Sequence, residues 1–217
     1  MSSPWWPLLD LRVLTPRLEL RPPDDADLDA LAELAGEGIH PAGEMPFSEP
    51  WTDADPAEVR RRVLQWEWRS RADWSAESWR LNLSVWVDGR CVGSQGIQAQ
   101  SFPVLRSVTS GSWLGAAHQG QGIGKEMRAA ALHLAFAGLG AERAETSAFE
   151  DNAASLGVTR ALGYEPNGED VEMRLGRAAR QLRSVLRRAR WEQQRRDDIA
   201  IEGLEPCLPL FGLTTEL

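Results

Sequence analysis

Four stretches of the chain repeat apolar residues at the spacing of an amphipathic helix. In the first stretch, Leu28, Leu31 and Leu34 share one helix face. Gly36 and Gly38 follow and are expected to end that helix, because glycine favours the position after a helix terminus. The other three predicted helices cover residues 57–71, 123–140 and 151–163.

Alternation of apolar and polar residues predicts strands in most of the remaining chain. In "WRLNLSVWV", residues 79–87, Leu81, Leu83 and Val85 fall on one face of a strand. The Asp88-Gly89 pair that follows is typical of a tight hairpin. Further strands are expected at residues 17–23, 91–100, 104–114, 143–150 and 164–175, the last with a turn at Asn167 and Gly168. The arginine-rich stretch 177–196 fits either a basic helix or a strand followed by a short helix.

Together these elements predict one α/β domain with a mostly antiparallel sheet. We expect the domain to span residues 1–198, with residues 1–14 as an N-terminal extension. The tail, residues 199–217, contains "IAIEGLEPCLPLFGL". This segment is too apolar to remain in water, so it is expected to dock on the domain or on a partner.

Composition and charge narrow the functional class. The 24 basic and 32 acidic residues give a formal net charge of −8, which argues against nucleic acid as a partner and suits a cationic substrate. The chain has no apolar run of about 18 residues and no signal-peptide pattern, so we expect no membrane association. Cys91 and Cys207 lie far apart without metal-ligand spacing, which predicts reduced thiols, no metal site and a cytoplasmic protein.

The stretch "HQGQGIGKEM" has three glycines within residues 120–124, between a predicted strand and a predicted helix. A strand, a glycine-rich turn and a helix start can hold an anion with backbone N–H groups. The stretch lacks the phosphate-loop pattern G-x-x-x-x-G-K-[S/T] and the dinucleotide pattern G-x-G-x-x-G. Instead, Gln119, Gly122 and Gly124 give Q-x-x-G-x-G.

This pattern resembles the pyrophosphate-binding signature of the GNAT superfamily of acetyl-CoA-dependent N-acetyltransferases. Two other segments are similar to the ribosomal-protein N-acetyltransferase (RimJ/RimL-like) branch. They are the opening strand "LTPRLELRPP" and "DNAASLGVTRALGY", in which Asn152, Ser155, Gly163 and Tyr164 match that branch in spacing. The resemblance runs from about residue 15 to residue 191. It favours a strand and then a short helix within residues 177–196.

The resemblance implies the GNAT fold: a mixed, mostly antiparallel twisted sheet of six to seven strands, helices on both faces, and splayed fourth and fifth strands. It also implies acetyl-CoA as cofactor, with its arm on main-chain groups of Trp113 and Leu114. The pyrophosphate is expected on the turn that comprises Gln119, Gly120, Gln121, Gly122, Ile123, Gly124 and Lys125. Asn152 and Ser155 are the remaining cofactor-binding candidates.

The implied chemistry is attack of a primary amine on a thioester. Ser155 is expected to be the acid, the alternative being a helix serine bonded to the backbone, and the Leu114 N–H is the expected oxyanion donor. Thr159 stands where many family members have a tyrosine that acts as the general acid, and Tyr164 is expected in the core. The sequence does not identify the base. The candidates considered for it are Glu150, Glu169, Glu172, His40 and His118.

Residues 38–55 form a long Pro- and Gly-rich loop, which the resemblance makes the acceptor-recognition segment. His40, Met45, Phe47 and Trp51 are its substrate-contacting candidates, although the loop can also be a lid that packs on the sheet. Its four acidic residues suit a cationic amine of a peptide N-terminus, an amino sugar or a small molecule. The alternative function is a non-catalytic relative that binds acyl-CoA or a protein. The apolar tail further suggests a homodimer.

Overall fold

The structure, a computed structural model, describes residues 3–214 and contains one nine-stranded sheet. The strand order is β7-β8-β6-β5-β4-β3-β2-β1-β9. In chain order the strands are β1 (Arg12–Leu14), β2 (Glu19–Arg21), β3 (Ser78–Val87), β4 (Arg90–Gln100), β5 (Ser107–Leu114), β6 (Arg143–Phe149), β7 (Glu165–Arg174), β8 (Arg177–Arg187) and β9 (Ala200–Glu202). All neighbours are antiparallel except β5 and β6.

The sheet is larger than the expected six to seven strands. The difference lies at one edge, where β1 and β9 are three residues each and pair with one another. Strands of three residues offer little alternation to detect, and neither of these two was predicted, whereas the equally short β2 lies within the predicted strand at residues 17–23. Because β1 comes first, the splayed pair that was expected as the fourth and fifth strands corresponds to β5 and β6, which are parallel.

Helices cover both faces of the sheet. They are α1 (Asp25–Glu37), α2 (Pro56–Ala72), α3 (Phe102–Leu105), α4 (Ile123–His133), α5 (Ala153–Ala161) and α6 (Arg188–Glu192). Leu81, Leu83 and Val85 of β3 pack in the main core together with Met127 and Leu132 of α4. On the opposite face, α1 and α2 enclose a smaller apolar cluster against β4 and β5. The predicted alternation of β3 is therefore confirmed.

Three local predictions differ from the structure. Residues 104 and 105 belong to the short helix α3, and β5 begins only at Ser107. Asn167 and Gly168 make no turn; they fall at a register shift in β7 between Pro166 and Glu169, where a bulge accommodates one extra residue. After α4, residues 134–138 continue as a π-helical segment.

The C-terminal segment packs against the domain core. Phe211 is fully buried, with ring centroids 5.3 Å from Trp74 and 4.9 Å from Trp79. Trp74 Nε1 donates a hydrogen bond to Leu210 O at 2.8 Å, and Cys207 is also fully buried. Residues 1–2 of the expected extension and residues 215–217 of the expected tail lie outside the described part of the chain.

Candidate active site

A wedge-shaped cleft opens between β5 and β6. The two strands pair only through residues 107–109 and 143–145, although β5 continues to Leu114 and β6 to Phe149. At the apex of the wedge, side chains replace the main-chain ladder: Thr146 Oγ1 donates to Ser110 O at 3.3 Å, and Ser110 Oγ donates to Glu145 O at 3.4 Å. Beyond these hydroxyls no main-chain hydrogen bond joins the two strands within residues 3–214, so their facing edges can accept another extended chain.

The alternation of the backbone decides which residues of β5 face the cleft. Gly115 N donates to Val92 O of β4, so the main chain of Gly115 is directed to the β4 side. Successive residues alternate, so Trp113 also faces β4, whereas Ser112 and Leu114 direct N–H and C=O groups to the cleft. Of the two expected main-chain contacts, Leu114 is therefore suitably oriented, and Ser112 takes the place of Trp113.

The glycine-rich turn follows at the open end of the cleft. Gly120 and Gly122 have φ values of 73° and 79°, a backbone conformation that residues with a Cβ atom rarely adopt. The first intrahelical hydrogen bond of α4 runs from Glu126 N to Gly122 O, and no side chain of residues 3–214 caps the helix. The N–H groups before it therefore lack intrahelical acceptors and can bind an anion, which the helix dipole also favours.

Two sets of side-chain hydrogen bonds brace the turn. Glu126 is 7% exposed and accepts from Thr15 Oγ1 at 2.6 Å and from Arg17 Nε at 2.8 Å. Burial would raise the pKa of Glu126, but the Thr15 and Arg17 contacts together hold it below its ordinary value. On the other side, Gln119 Nε2 donates to Leu114 O at 3.0 Å and to Ile39 O at 2.6 Å.

The two predicted residues of α5 lie at its N-terminus. Asn152 Oδ1 caps the helix by accepting from Ser155 N at 3.0 Å, which leaves the Nδ2 amino group to donate to a ligand. Ser155 is half-buried, and its hydroxyl has no hydrogen-bond partner within residues 3–214. Thr159 Oγ1 donates to Ser155 O at 2.9 Å. Tyr164 is buried in the core, as expected.

A cavity of about 760 Å³ lies on the face of the sheet covered by α2. It reaches β5 at Gly111, Ser112 and Trp113, where the cleft begins. Phe47 and Trp51 from the 38–55 loop also line it. The Trp51 ring centroid lies 5.2 Å from that of Phe47 and 5.8 Å from that of Trp113, so aromatic contacts tie the loop to β5.

The other two loop candidates do not line this cavity. His40 Nε2 hydrogen-bonds Thr52 Oγ1 at 2.7 Å. Met45 is buried, and its carbonyl oxygen accepts from Arg174 Nη1 at 3.4 Å. Both side chains therefore shape the loop, and Phe47 and Trp51 are its contacts with the cavity.

Glu67 of α2 is a functional candidate that the sequence did not reveal. It is 5% exposed, lines the cavity and accepts from Asn82 Nδ2 at 3.2 Å through Oε2. Burial raises the pKa of Glu67 to about 7, despite the Asn82 hydrogen bond and the nearby Arg71 and Arg80. A carboxylate with this pKa in a cavity can exchange a proton near neutral pH.

The acidic residues that the sequence nominated are engaged elsewhere. Glu150 and Glu169 both pair with Arg180, at 3.4 Å for Glu150, and Gln181 Nε2 donates to Glu172 at 3.5 Å. Glu169 and Glu172 lie in β7, and Glu150 directly follows β6. They stand outside the lining of the cavity.

The site thus combines an open strand edge, an uncapped helix start and an adjoining cavity, an arrangement suited to an extended anionic ligand. The chain matches the acetyltransferase (GNAT) domain family over residues 17–165. It belongs to that family, and the protein is an acetyl-CoA-dependent N-acetyltransferase. The predicted fold class, activity and cofactor are thereby confirmed.

Several solved structures share the fold. An acetyltransferase from Salmonella typhimurium that modifies the N-terminal serine of ribosomal protein L7/L12 is 19% identical, with a TM-score of 0.64 over 81% of this chain and 98% of that one. RimJ of Mycobacterium smegmatis, solved with CoA-disulfide, is 21% identical, with a TM-score of 0.62 over 86% and 90%. A RimL ribosomal L7/L12 acetyltransferase, in complex with coenzyme A, is 20% identical, with a TM-score of 0.61 over 80% and 95%.

The residues present fit acetyl-CoA. Uncapped N–H groups at the start of α4 suit a pyrophosphate, and the free edge of β5 at Ser112 and Leu114 suits an amide-containing arm. Within residues 3–214, no helix is both long and apolar enough to cross a membrane.

Proposed function

We propose that the acceptor amine binds in the cavity under α2 and is acetylated where that cavity meets β5. One observation carries this proposal: the same cavity is lined by the buried carboxylate of Glu67 and by Ser112 at the edge of the cleft. The candidate base, Glu67, and the expected binding site of the acetyl donor thus border the same cavity. The two reactants would approach from opposite faces of the sheet.

The donor would be held mainly by backbone. We propose that the pyrophosphate lies on the turn formed by Gln119, Gly120, Gln121, Gly122, Ile123, Gly124 and Lys125. Ser112 and Leu114 would bind the arm through their main chain, and the Asn152 amide group would assist. When bound, acetyl-CoA supplies an acetyl group activated as a thioester.

Three groups would carry the chemistry. Glu67 would take a proton from the acceptor ammonium, because a protonated amine is not a nucleophile. The Leu114 N–H, which faces the cleft, would donate to the developing oxyanion. Ser155, whose hydroxyl has no partner within the described chain, would be the proton donor on the cleft side.

The acceptor would be a primary amine that arrives as a cation. The carboxylates of Glu49 and Glu67, together with Phe47 and Trp51, line a cavity suited to an ammonium group on a partly apolar frame. Arg62, Arg69 and Arg80 also line it, so the panel of acceptors should include amines that bear a carboxylate. Peptide N-termini, amino sugars and small amines are the three classes to compare, with ribosomal-protein N-terminal peptides first.

The first test is calorimetric titration with acetyl-CoA, with Gly124→Val alongside. Gly124 lies where an added Cβ would be 3.7 Å from Leu114 Cδ1 and Val158 Cγ2, so the larger valine should crowd the cleft. We expect binding by the natural chain and weaker binding by the variant. Thiol release with the amine panel then tests turnover. Binding with no turnover for any amine would favour a non-catalytic acyl-CoA-binding protein instead.

Three further expectations stay predictions: the division at residue 198, the cytoplasmic location and the homodimer. Light scattering at micromolar concentration tests the last, and a monomeric mass would contradict it.

A further inference from the structure

Arg128 on α4 is a buried cation without an acidic partner. It is 4% exposed, and no carboxylate within residues 3–214 forms an ion pair with it. Nη2 donates to Ser112 Oγ at 3.1 Å, and Nη1 donates to Thr159 Oγ1 at 3.2 Å. Its Nε is buried and has no hydrogen-bond partner in the described part of the chain.

Two other buried charged groups, Asp27 and Glu126, have the oppositely charged partner that Arg128 lacks among the described residues. Asp27 accepts from Arg21 at 2.7 Å, and Glu126 accepts from Arg17 at 2.8 Å. Among the residues that the structure describes, Arg128 has only two acceptors, both of them neutral hydroxyl groups. A guanidinium stays charged in proteins, and a buried charge without a counter-charge is costly. Burial accordingly lowers the pKa of Arg128, although the neighbouring Tyr164 acts in the opposite direction. An anion that enters the neighbouring space would offset this cost.

The contacts of Arg128 lead directly to the cleft. Ser112 stands on β5 beyond the apex of the wedge, with its main chain directed into the opening. Because Ser112 Oγ accepts from Arg128, its own hydroxyl proton is free to point toward a ligand. The Thr159 hydroxyl instead donates a hydrogen bond to Ser155 O at 2.9 Å. Arg128 thus connects the open edge of β5 with the helix turn that carries Ser155.

We propose that Arg128 is a positioning residue that orients the Ser112 hydroxyl and stabilises the thiolate released in the cleft. This inference rests on the proposed binding of the donor between β5 and β6. In the transfer, a C–N bond forms, the C–S bond breaks and its electron pair stays on sulfur. The ammonium gives up two protons: one goes to Glu67, and the second goes to solvent or replaces the proton that Ser155 gives to the sulfur. The Ser112 hydroxyl would donate a hydrogen bond to the sulfur without losing its proton, and the charge of Arg128 would lie directly behind it.

The test compares the binding of coenzyme A with that of desulfo-coenzyme A, in which hydrogen replaces the thiol. Calorimetry at about pH 6.5 and about pH 9 gives the ratio of the two dissociation constants at each pH. An ordinary thiol has a pKa of about 8.5, so it is protonated at the lower pH and mostly ionised at the higher one. If Arg128 stabilises the thiolate, the preference for coenzyme A should increase about fivefold or more between these pH values, which corresponds to a bound thiol pKa lowered by about one unit.

Four variants separate this role from a structural one. Arg128→Met and Arg128→Gln remove the charge and should abolish the pH dependence while desulfo-coenzyme A still binds. Arg128→Lys should retain part of it. Arg160→Met, on the exposed surface of α5, is the matched control for net charge and should behave as the natural chain does.

The outcomes distinguish the two proposals. A ratio that is equal at both pH values in the natural chain would overturn the inference, even if neither charge-removing variant folds. Persistence of the pH dependence in a folded Arg128→Met or Arg128→Gln protein would overturn it as well. If neither ligand binds the natural chain, the proposed donor site itself is wrong.

Discussion

Gln119 in the glycine-rich turn donates a hydrogen bond from Nε2 to the carbonyl oxygen of Ile39 at 2.6 Å. Ile39 lies at the start of the loop that lines the acceptor cavity, and Ala116 N donates to Gly38 O at 3.1 Å beside it. The turn proposed for the donor and the loop proposed for the acceptor are therefore joined directly. A change in either segment should affect the other.

Replacing Gln119 tests this connection. Gln119→Ala removes the hydrogen bonds to Ile39 and Leu114, each worth about 1 kcal/mol. We expect acetyl-CoA affinity to fall about fivefold and the KM for the acceptor to rise by a similar factor. Calorimetry and steady-state kinetics measure the two effects. An unchanged acceptor KM would show that the loop is independent of the turn.

Glu67→Gln should stabilise the fold at neutral and alkaline pH. The carboxyl has a folded-state pKa of about 7 and an ordinary value of 4.5, so the folded protein binds its proton more tightly than the unfolded chain does. The stability from this group is present below pH 4.5 and declines as pH rises from 4.5 to about 7. Above that range, glutamine should raise the free energy of unfolding by up to about 3 kcal/mol. Chemical denaturation at several pH values measures this, and equal stability of the two proteins at pH 8 or so would contradict it.

The conformations of the turn glycines predict distinct effects for three substitutions. Gly122 has a φ of 79°, so Gly122→Ala should destabilise the start of α4 by about 1–2 kcal/mol. Gly124 has an unstrained backbone, and an added Cβ would make ordinary contacts at 3.7 Å. Gly124→Ala should therefore be tolerated, whereas Gly124→Val should weaken acetyl-CoA binding. Thermal unfolding and calorimetry together separate these effects, and a Gly124→Ala variant as weak as Gly124→Val would refute the steric account.

The Glu126 brace should make the fold sensitive to acid. The pKa of Glu126 is lowered overall, so its stabilising effect is present above its ordinary pKa of 4.5 and is lost as pH falls below it. Glu126→Gln should therefore lose more stability at neutral pH than near pH 3, relative to the natural chain. The comparison needs denaturation curves at both pH values. A constant difference between the two proteins would mean that the charge of Glu126 does not contribute.

The donor side of the site could be predicted from sequence because its chemistry is local. Gly120 and Gly122 adopt positive φ and precede an uncapped helix start, all within a few residues. The direction of the β5 backbone could not be predicted, since it depends on which neighbour each residue faces. This is why Trp113 was expected at the cleft and Ser112 was not.

The acceptor side depends on contacts between distant segments. Glu67 lies in the stretch "LQWEWRSR", where it resembles an ordinary solvated carboxylate. Its burial comes from packing of α2 over β3, which brings Asn82 within 3.2 Å. Arg128 is concealed in the same way, because only the approach of β5 and α5 shows that it lacks an acidic partner.

The central claim is that Glu67 removes the proton from an amine held in the cavity under α2. The most direct measurement is the pH dependence of kcat/KM for amine-dependent thiol release, in the natural chain and in Glu67→Gln. The account predicts that kcat/KM of the natural chain rises with pH through an apparent pKa of about 7, and that the variant loses this step and at least about a hundredfold of its rate. A variant that keeps both the rate and the step near pH 7 would contradict it.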